Sequence, residues 1–336
     1  MKDKRKIVLN IFIIFIVLGI VLYFSLKDDY EEILSYIMRM DIKWFLFGLF
    51  GIILYRSLVG LASYSVVIAN NNKVSLLRMI QINFIILFFH GVTPFAGGGQ
   101  PMEIYYLHNE KISVPQVTNI VLQNFILYQI ALIIMELFAI IYNSYFHLFP
   151  KDSIIRKLVI IGFLINVLVL VVSIMLSFGK KFNKFILNKG LSFLGRIKII
   201  KDVSKTRIRL EDYINNFYEN TKKLRNNKMV VLKVVIINIL AISCLYSIPY
   251  SVSHGLGYTN IRLVEGIVAT TYVMIIGSFV PIPGGTGGLE YGFMCFFGYF
   301  IKGSILTAIM LLWRFISYYI GTIIGAVNLA FYRKKE

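Results

Sequence analysis

The chain has 336 residues, of which 57% are hydrophobic and 15% are charged, and its mean hydropathy is +0.74. Soluble domains carry about 25% charged residues, so the composition excludes a soluble globular protein and predicts an integral membrane protein. Two cysteines, both within apolar stretches, exclude a disulfide framework and a cysteine-based zinc site. The net charge of +18 indicates either nucleic acid or an anionic membrane face as a partner, depending on where the charge lies.

Eight apolar stretches follow one another along the chain, each close to the length of about 20 residues that crosses the hydrocarbon core. They cover residues 7–26, 42–69, 74–92, 114–142, 156–178, 229–253, 262–280 and 303–332. The first stretch follows a basic leader, is too long for the apolar region of a signal peptide and precedes no small-residue cleavage site. We therefore expect it to be a retained membrane anchor.

The distribution of charge predicts the orientation of these stretches. Residues 179–228 contain 14 Lys and Arg against four acids, so this basic loop should be cytoplasmic. Both termini are basic and should lie on the same side. Residues 27–41 contain five acids and two basic residues, so they should face outward.

Eight full crossings would place the basic loop, residues 179–228, on the outside when the N-terminus is cytoplasmic, which contradicts the predicted orientation. The predicted orientation is kept if residues 74–113 and 262–302 each enter and leave the membrane on one side. The predicted fold class is therefore an all-α integral membrane protein, a polytopic helical bundle with six full spans and two re-entrant broken-helix hairpins. We expect residues 1–336 to form a single transmembrane domain.

The two hairpins share a sequence motif. Residues 94–103 (PFAGGGQPME) and 281–290 (PIPGGTGGLE) both read P-x-x-G-G-x-x-x-x-E, with the second copy 187 positions after the first. A span precedes and follows each copy, which defines a first repeat over 42–142 and a second over 229–332. Because the hairpins open from opposite sides, the repeats are predicted to be inverted, an arrangement that many secondary transporters use.

The motif has a chemical interpretation and a purely structural one. Glycine permits positive φ and close approach, and proline ends one helix and starts the next. Outgoing half-helices beginning near Pro101 and Gly287 would present free N–H groups that attract anions such as phosphate. Alternatively, the loops are only tight turns, and the glutamates cap the helices that follow.

Several ionisable side chains lie at membrane depth, where they are functional candidates by default. They include Arg56, Arg314, Glu136 and His90, and arginine is suited to bidentate contact with phosphate. A structural pairing of Arg314 with Glu290 or Glu103 is the alternative. The predicted substrate-binding residues are Arg56, Pro94, Gly97, Gly98, Gln100, Glu103, Pro281, Gly284, Gly285, Gly287, Glu290 and Arg314.

No enzyme motif is present in the sequence. The four histidines are scattered without ligand spacing, and no zinc-protease, nucleophile-elbow or P-loop pattern occurs. We therefore predict no catalytic residues, no metal and no cofactor.

With its runs TPFAGGGQPMEIYYL (residues 93–107), PIPGGTGGLE (281–290) and LWR (312–314), the chain resembles the membrane region of the lysylphosphatidylglycerol synthase/flippase family over essentially its whole length. The resemblance implies movement of a lipid between leaflets, with aminoacylated phosphatidylglycerol as the best-known cargo and other lipids or lipid-linked sugars in stand-alone relatives. Larger members add a soluble lysyltransferase domain. Here the chain stops directly after the last span, so we expect it not to catalyse lysine transfer.

Three hypotheses for the function follow. The leading one is a flippase of the cell membrane, with phospholipid bound between the two loops. The second is an enzyme or enzyme subunit of lipid modification, with His90 and Glu103 as acid and base and a separate synthase as partner. The third is a structural organiser whose basic loop recruits soluble partners. Because residues 179–228 lie near the membrane, anionic inner-leaflet lipid is a better partner for them than nucleic acid. Each basic residue near the surface contributes about 1 kcal/mol of attraction to such lipid.

Overall fold

The computed structural model describes residues 30–150, 154–179, 189, 227–277, 280 and 282–333. The predicted first span at 7–26, Pro281 and nearly all of the basic loop lie outside the described residues. Within the described ranges the regular structure is helical, without strands. In chain order the helices are α1 (Tyr30–Met38), α2 (Ile42–Ala69), α3 (Leu76–Val92), α4 (Gly99–His108), α5 (Val114–Phe146), α6 (Ile154–Phe178), α7 (Lys228–Tyr246), α8 (Ile248–Gly255), α9 (Leu263–Gly277), α10 (Gly288–Phe297), α11 (Ser304–Arg314) and α12 (Gly321–Ala330).

Two 3₁₀ turns and one π-helical segment complete the regular structure of the described residues. The 3₁₀ turn Pro94–Ala96 lies between α3 and α4, and the turn Pro283–Gly285 lies between α9 and α10. The π-helical segment Phe315–Ile320 joins α11 to α12 without a break in the helix. All three irregular segments lie close to the predicted site, where departures from α-helical geometry are frequent.

Five helical segments are long and apolar enough to cross a membrane. They are Ile42–Ala69, Val114–Phe146, Arg156–Ser177, Lys228–Gly255 and Ser304–Ala330. The two shorter apolar helices are Leu76–Val92 and Leu263–Gly277, the incoming arms of the two predicted hairpins. The prediction of a polytopic all-α membrane protein is confirmed, and the five segments coincide with the five predicted full spans that fall within the described residues.

One helix was not expected from the sequence. The acidic segment before α2 contains α1, nine residues with Glu31 and Glu32 in the first turn, where carboxylates interact favourably with the helix dipole. Asp41 then caps α2, because its side chain accepts a hydrogen bond from the backbone N–H of Lys43 at 2.9 Å.

The same order of elements surrounds each loop. Around the first loop a long helix (α2) is followed by a short helix (α3), a 3₁₀ turn, a ten-residue helix (α4) and another long helix (α5). Around the second loop the order is α7–α8, α9, a 3₁₀ turn, the ten-residue helix α10 and α11–α12. The two 3₁₀ turns contact each other, so the two units meet at their loops.

The corresponding long helices of the two units run antiparallel. Near the start of α2 the backbone N–H of Asp41 donates to the carbonyl of Gly255, at the end of α8, at 2.9 Å. Further along, a Cβ on Gly51 would lie 3.3 Å from the carbonyl oxygen of Cys244 in α7. The chain directions of α2 and α7–α8 are therefore opposed, with glycine allowing close approach.

The helix pair α3 and α12 is also antiparallel and very closely packed. Arg78 near the start of α3 donates through Nη2 to the carbonyl of Arg333 at 2.6 Å. A Cβ on Gly325 in α12 would lie 2.6 Å from the carbonyl oxygen of Phe84 in α3. This contact fixes the incoming arm of the first hairpin against the last helix of the second unit.

The buried apolar side chains form two cores. One is built mainly from the second unit and contains a ring stack in which Phe293 lies 4.2 Å from Phe297 and 5.0 Å from Trp313 between ring centroids. The other is built mainly from the first unit around Ile82, Ile85 and Ile120. Exposed apolar side chains cover much of the outer helix surfaces, as expected where lipid replaces water.

Candidate functional site

Loop 1, residues 93–98, folds back onto the end of α3. The hydroxyl of Thr93 donates to the carbonyl of Phe89 at 2.6 Å and accepts from the backbone N–H of Gly98 at 2.9 Å. The Nδ1 atom of His90 lies 2.7 Å from the carbonyl oxygen of Ala96. The side chains of His90, in the last turn of α3, and of Thr93, directly after it, thus satisfy loop polar groups that lipid could not satisfy.

The glycines of loop 1 do not serve the purpose that their sequence suggests. Gly97 and Gly98 have φ values of −71° and −76°, whereas Ala96 adopts the left-handed region at φ +54°. Of the two properties that glycine permits, positive φ is therefore not used at Gly97 and Gly98. Close approach is the requirement instead, since a Cβ on Gly99 would lie 2.1 Å from the ring of His90.

Loop 2, residues 282–287, is built differently. Gly284, Gly285 and Gly287 have φ values of +67°, +63° and +89°, the conformations that glycine adopts readily and other residues avoid. The backbone N–H of Gly285 donates to the carbonyl of Ile282 at 2.9 Å. Here glycine is used as the sequence interpretation expected.

An ion pair clamps loop 2 to the last long helix. Glu290 accepts through Oε2 from the backbone N–H of Gly287 at 2.6 Å and pairs through Oε1 with Nε of Arg314 at 2.8 Å. Nη2 of Arg314 donates to the hydroxyl of Thr286 at 3.4 Å. Arg314 is only 4% exposed, so this pair is a buried and structurally occupied one, as the alternative interpretation held.

Glu103, the counterpart of Glu290 in the first motif, has no such partner. It is buried, and its Oε1 accepts from the amide of Asn124 at 3.3 Å. Arg56 lies at the middle of the 28-residue helix α2 and is 7% exposed. Among the described residues, no oxygen accepts a hydrogen bond from Arg56 and no carboxylate lies within 4 Å of it, while its guanidinium carbon lies 4.9 Å from the ring centroid of Tyr55.

The two glutamates differ because the helices that carry them begin at different points of the motif. In the first unit α4 begins at Gly99, so Glu103 is its fifth residue. In the second unit α10 begins at Gly288, so Glu290 is its third residue and caps the helix. The expected start of α4 near Pro101 is therefore two residues late, and the capping interpretation holds for Glu290 but not for Glu103.

Two adjacent cavities lie at the loops. Cavity A, of about 320 Å³, has a polar wall that includes Arg56, Glu103, Asn83, Asn124 and Asn238. Cavity B, of about 440 Å³, lies beside Gly284, Gly285 and Arg314 and extends to Glu136 and Asn166. The two cavities share His90, Ala96, Gln100, Phe125, Tyr128 and Gln129 in their walls.

Tyr318, in the π-helical segment, connects the two loops. Its hydroxyl donates to the carbonyl of Gly91 at 2.9 Å, just before loop 1. Its ring packs so closely on Gly284 of loop 2 that a Cβ there would lie 2.4 Å away. The guanidinium carbon of Arg314 lies 4.7 Å from the same ring centroid. One side chain therefore contacts both hairpins and the ion pair.

Removing the hydroxyl of Tyr318 tests this connection. We expect Tyr318→Phe to lower the free energy of unfolding by about 0.5–1.5 kcal/mol, because the carbonyl of Gly91 loses its donor while the ring stays in place. Tyr319→Phe is the matched control, since among the described residues Tyr319 makes no hydrogen bond through its hydroxyl. Thermal unfolding in detergent measures both, and equal losses would contradict the role of Tyr318.

The predicted site residues separate into groups. Arg56, Gln100 and Glu103 line cavity A, and Gln100, Gly284, Gly285 and Arg314 line cavity B. Glu290 contacts Arg314 through the ion pair. Gly98 is half-buried within loop 1, and three residues are exposed: Pro94, Gly97 and Gly287. Tyr318, Asn166 and Asn238 were not predicted from the sequence, because they belong to no motif. Their polarity within apolar helices was the available signal.

Fold and site together define a multi-pass helical membrane protein in which two glycine-rich hairpins meet beside polar cavities. The family described as Lysylphosphatidylglycerol synthase TM region matches residues 7–325. The chain belongs to this family, which confirms the resemblance and is consistent with a lipid-related role in the membrane. It is also similar to a protein named UPF0104 membrane protein from Archaeoglobus fulgidus, with 21% identity over 281 residues, covering 76% of each chain.

Proposed function

We propose that this protein moves a phospholipid between the leaflets of the cell membrane, with the headgroup in cavity A. The observation that carries the proposal is the buried guanidinium of Arg56 at the centre of α2, which makes no hydrogen bond and no ion pair with the residues that the structure describes. An arginine at the centre of a membrane helix costs about 2.5–3.5 kcal/mol on insertion scales. A phosphate that enters the cavity supplies acceptor oxygens to this guanidinium through bidentate hydrogen bonds.

The second charge of cavity A indicates the class of headgroup. Glu103 lines the same cavity without contacting Arg56 directly, and its partner is the neutral amide of Asn124. Opposite charges held apart in one cavity complement a headgroup that carries a phosphate and an ammonium group. Aminoacylated phosphatidylglycerol fits this description, as does a zwitterionic phospholipid, whereas the acyl chains would remain in the bilayer.

The route across the membrane follows from the arrangement of the two units. We propose that the units over 42–142 and 229–332 are inverted repeats whose loops alternately admit the headgroup from either side. Cytoplasmic termini, and contact of the basic residues at 179–228 with anionic inner-leaflet lipid, belong to the same proposal. The antiparallel packing of α2 against α7–α8 supports it.

Reconstitution into liposomes with a headgroup-labelled lipid tests the proposal. We expect the wild-type protein to accelerate lipid movement between leaflets, and Arg56→Gln to reduce the protein-dependent rate at least about tenfold, since a hydrogen bond to a charged group contributes about 1.5–3 kcal/mol. Arg39→Gln, at an exposed arginine outside the cavities, should keep the wild-type rate.

Two results of this experiment would contradict the proposal: wild-type vesicles that behave like empty ones, and an Arg56→Gln variant as fast as Arg39→Gln.

Lipid-modifying chemistry is the second candidate, supported by the presence of both His90 and Glu103 in the wall of cavity A. The lipids of deletion cells distinguish the two. A missing lipid species indicates an enzyme, and an unchanged composition with one lipid in the wrong leaflet indicates transport.

A further inference from the structure

Cavity B contains an ionisable side chain, Glu136, that has no part in the proposed lipid site. Glu136 on α5 is 1% exposed and lines cavity B. Its Oε1 accepts a hydrogen bond from the amide of Asn166 on α6 at 2.6 Å, and its Oε2 has no partner within the described part of the chain. Among the described residues, no Lys, Arg or His nitrogen lies within 4 Å of this carboxyl group.

The neighbours of Glu136 do not compensate a negative charge. Asn166 faces it from α6, Tyr246 from α7, and Thr270 and Met274 from α9 line the same cavity. Of these neighbours, Tyr246 is titratable. The other titratable or charged groups in the cavity wall are His90, Tyr128, Tyr318 and Arg314, and Arg314 is already paired with Glu290.

An ionised carboxylate in this position is costly to bury, because the hydrogen bond from the neutral amide of Asn166 compensates only part of its charge, and a bound cation removes that cost. A proton needs only one acceptor oxygen, and Oε2 of Glu136 provides it. Within the described residues, no group of three or more His, Cys, Asp or Glu side chains could hold a metal ion, and Asn166 presents its amide nitrogen to the carboxylate. An asparagine can also donate to an ionised carboxylate and, with its amide turned over, accept from a protonated one. Both protonation states therefore keep a hydrogen bond.

We propose that Glu136 and Asn166 form a proton-binding site in cavity B, and that protonation there is coupled to lipid movement. The coupling rests on the proposed function, whereas proton binding does not. The physical link is the shared wall: Gln100, Tyr128 and Gln129 border both cavities. A change of charge at Glu136 therefore alters the electrostatic potential beside the headgroup site across a low-dielectric interior.

Infrared difference spectroscopy of the reconstituted protein, titrated with pH, measures proton binding directly. We expect a carbonyl-stretch band of a protonated carboxylic acid that titrates with pH and is lost in Glu136→Gln. Glu31→Gln, at an exposed acid on α1, should leave the band unchanged. Asn166→Leu should shift its frequency, because the hydrogen bond to the carboxyl group is removed. A spectrum that is the same in the wild type and in Glu136→Gln would overturn the proposal.

Coupling is measured in proteoliposomes with a pH gradient imposed across the membrane. We expect the gradient to change the rate of lipid movement several-fold in the wild type and in Glu31→Gln, and this response to be absent in Glu136→Gln. Wild-type movement that ignores the gradient would overturn the coupling. If no lipid moves at all while the infrared band of Glu136 is present, the proposed function fails and the proton site stands, so the two failures are distinguishable.

Discussion

Replacing Glu290 with alanine is expected to lower the free energy of unfolding by about 3–5 kcal/mol, the usual cost of removing one partner of a buried ion pair. The guanidinium of Arg314 is 4% exposed and pairs with Glu290 at 2.8 Å, so the substitution leaves a buried positive charge without compensation. It also removes the acceptor of the backbone N–H of Gly287, at 2.6 Å. Chemical or thermal unfolding in detergent micelles measures the loss.

Glu103→Ala is the matched control for this prediction. Glu103 occupies the same position in its motif and is equally buried, at 9% exposure for each glutamate, but its partner is the neutral amide of Asn124. Removing Glu103 takes a hydrogen-bond acceptor from a neutral amide and does not break an ion pair, so we expect a much smaller loss of stability. The double variant Glu290→Gln, Arg314→Met should recover most of the stability lost in Glu290→Ala, because both charges of the buried pair are removed together and the amide oxygen of glutamine can still accept from the backbone N–H of Gly287. Equal losses for the two single alanine variants would contradict the clamp.

The membrane architecture was largely predictable because it follows from length and hydropathy. A helix must satisfy its own backbone in lipid, so apolar stretches of sufficient length appear as the five candidate spans. The two hairpins were also predictable, since charge on the loops excluded eight full crossings. Helix α1 was not, because nine residues with two acids carry no apolar signal of spanning length.

The detail of the loops was less predictable than their existence. Two motifs with the same spacing differ in where their helices begin, at Gly99 and at Gly288. Local contacts decide this: the hydroxyl of Thr93 holds the N–H of Gly98 in loop 1, whereas loop 2 reverses through three glycines at positive φ. The motif is the same in both copies, but the local contacts differ. As a result Glu290 caps its helix, whereas Glu103 lines cavity A.

Several residues predicted for the site lie together in the structure, but the sequence did not determine which of them pair with each other. Arg56, Glu103, Glu290 and Arg314 all line or support the two cavities. The sequence offers Arg314 either glutamate as a partner, and only the fold determines that it pairs with Glu290. As a result, Arg56 and Glu103 line cavity A without an ion pair among the described residues, and the proposed headgroup site rests on this arrangement.

A methyl group at Gly284 is expected to damage both the loop and its connection to the other hairpin. Gly284 has φ +67°, where alanine costs about 1–2 kcal/mol. Its Cβ would lie 2.4 Å from the ring of Tyr318, and overpacking of this kind costs about 1–3 kcal/mol more. Because Tyr318 must move, its hydrogen bond to the carbonyl of Gly91 is strained or lost, and loop 1 is disturbed as well.

Gly257→Ala separates the two contributions. Gly257 has φ +84° with no atom within 4 Å of an added Cβ, so alanine there meets only the backbone cost. We expect Gly284→Ala to lose at least about 1 kcal/mol more than Gly257→Ala in unfolding experiments, the lower bound of the steric cost. Adding Tyr318→Ala to each variant should make the excess disappear, since the clash has no partner left. If the excess persists without the tyrosine ring, loop 2 is strained by its own backbone and Tyr318 does not connect the hairpins.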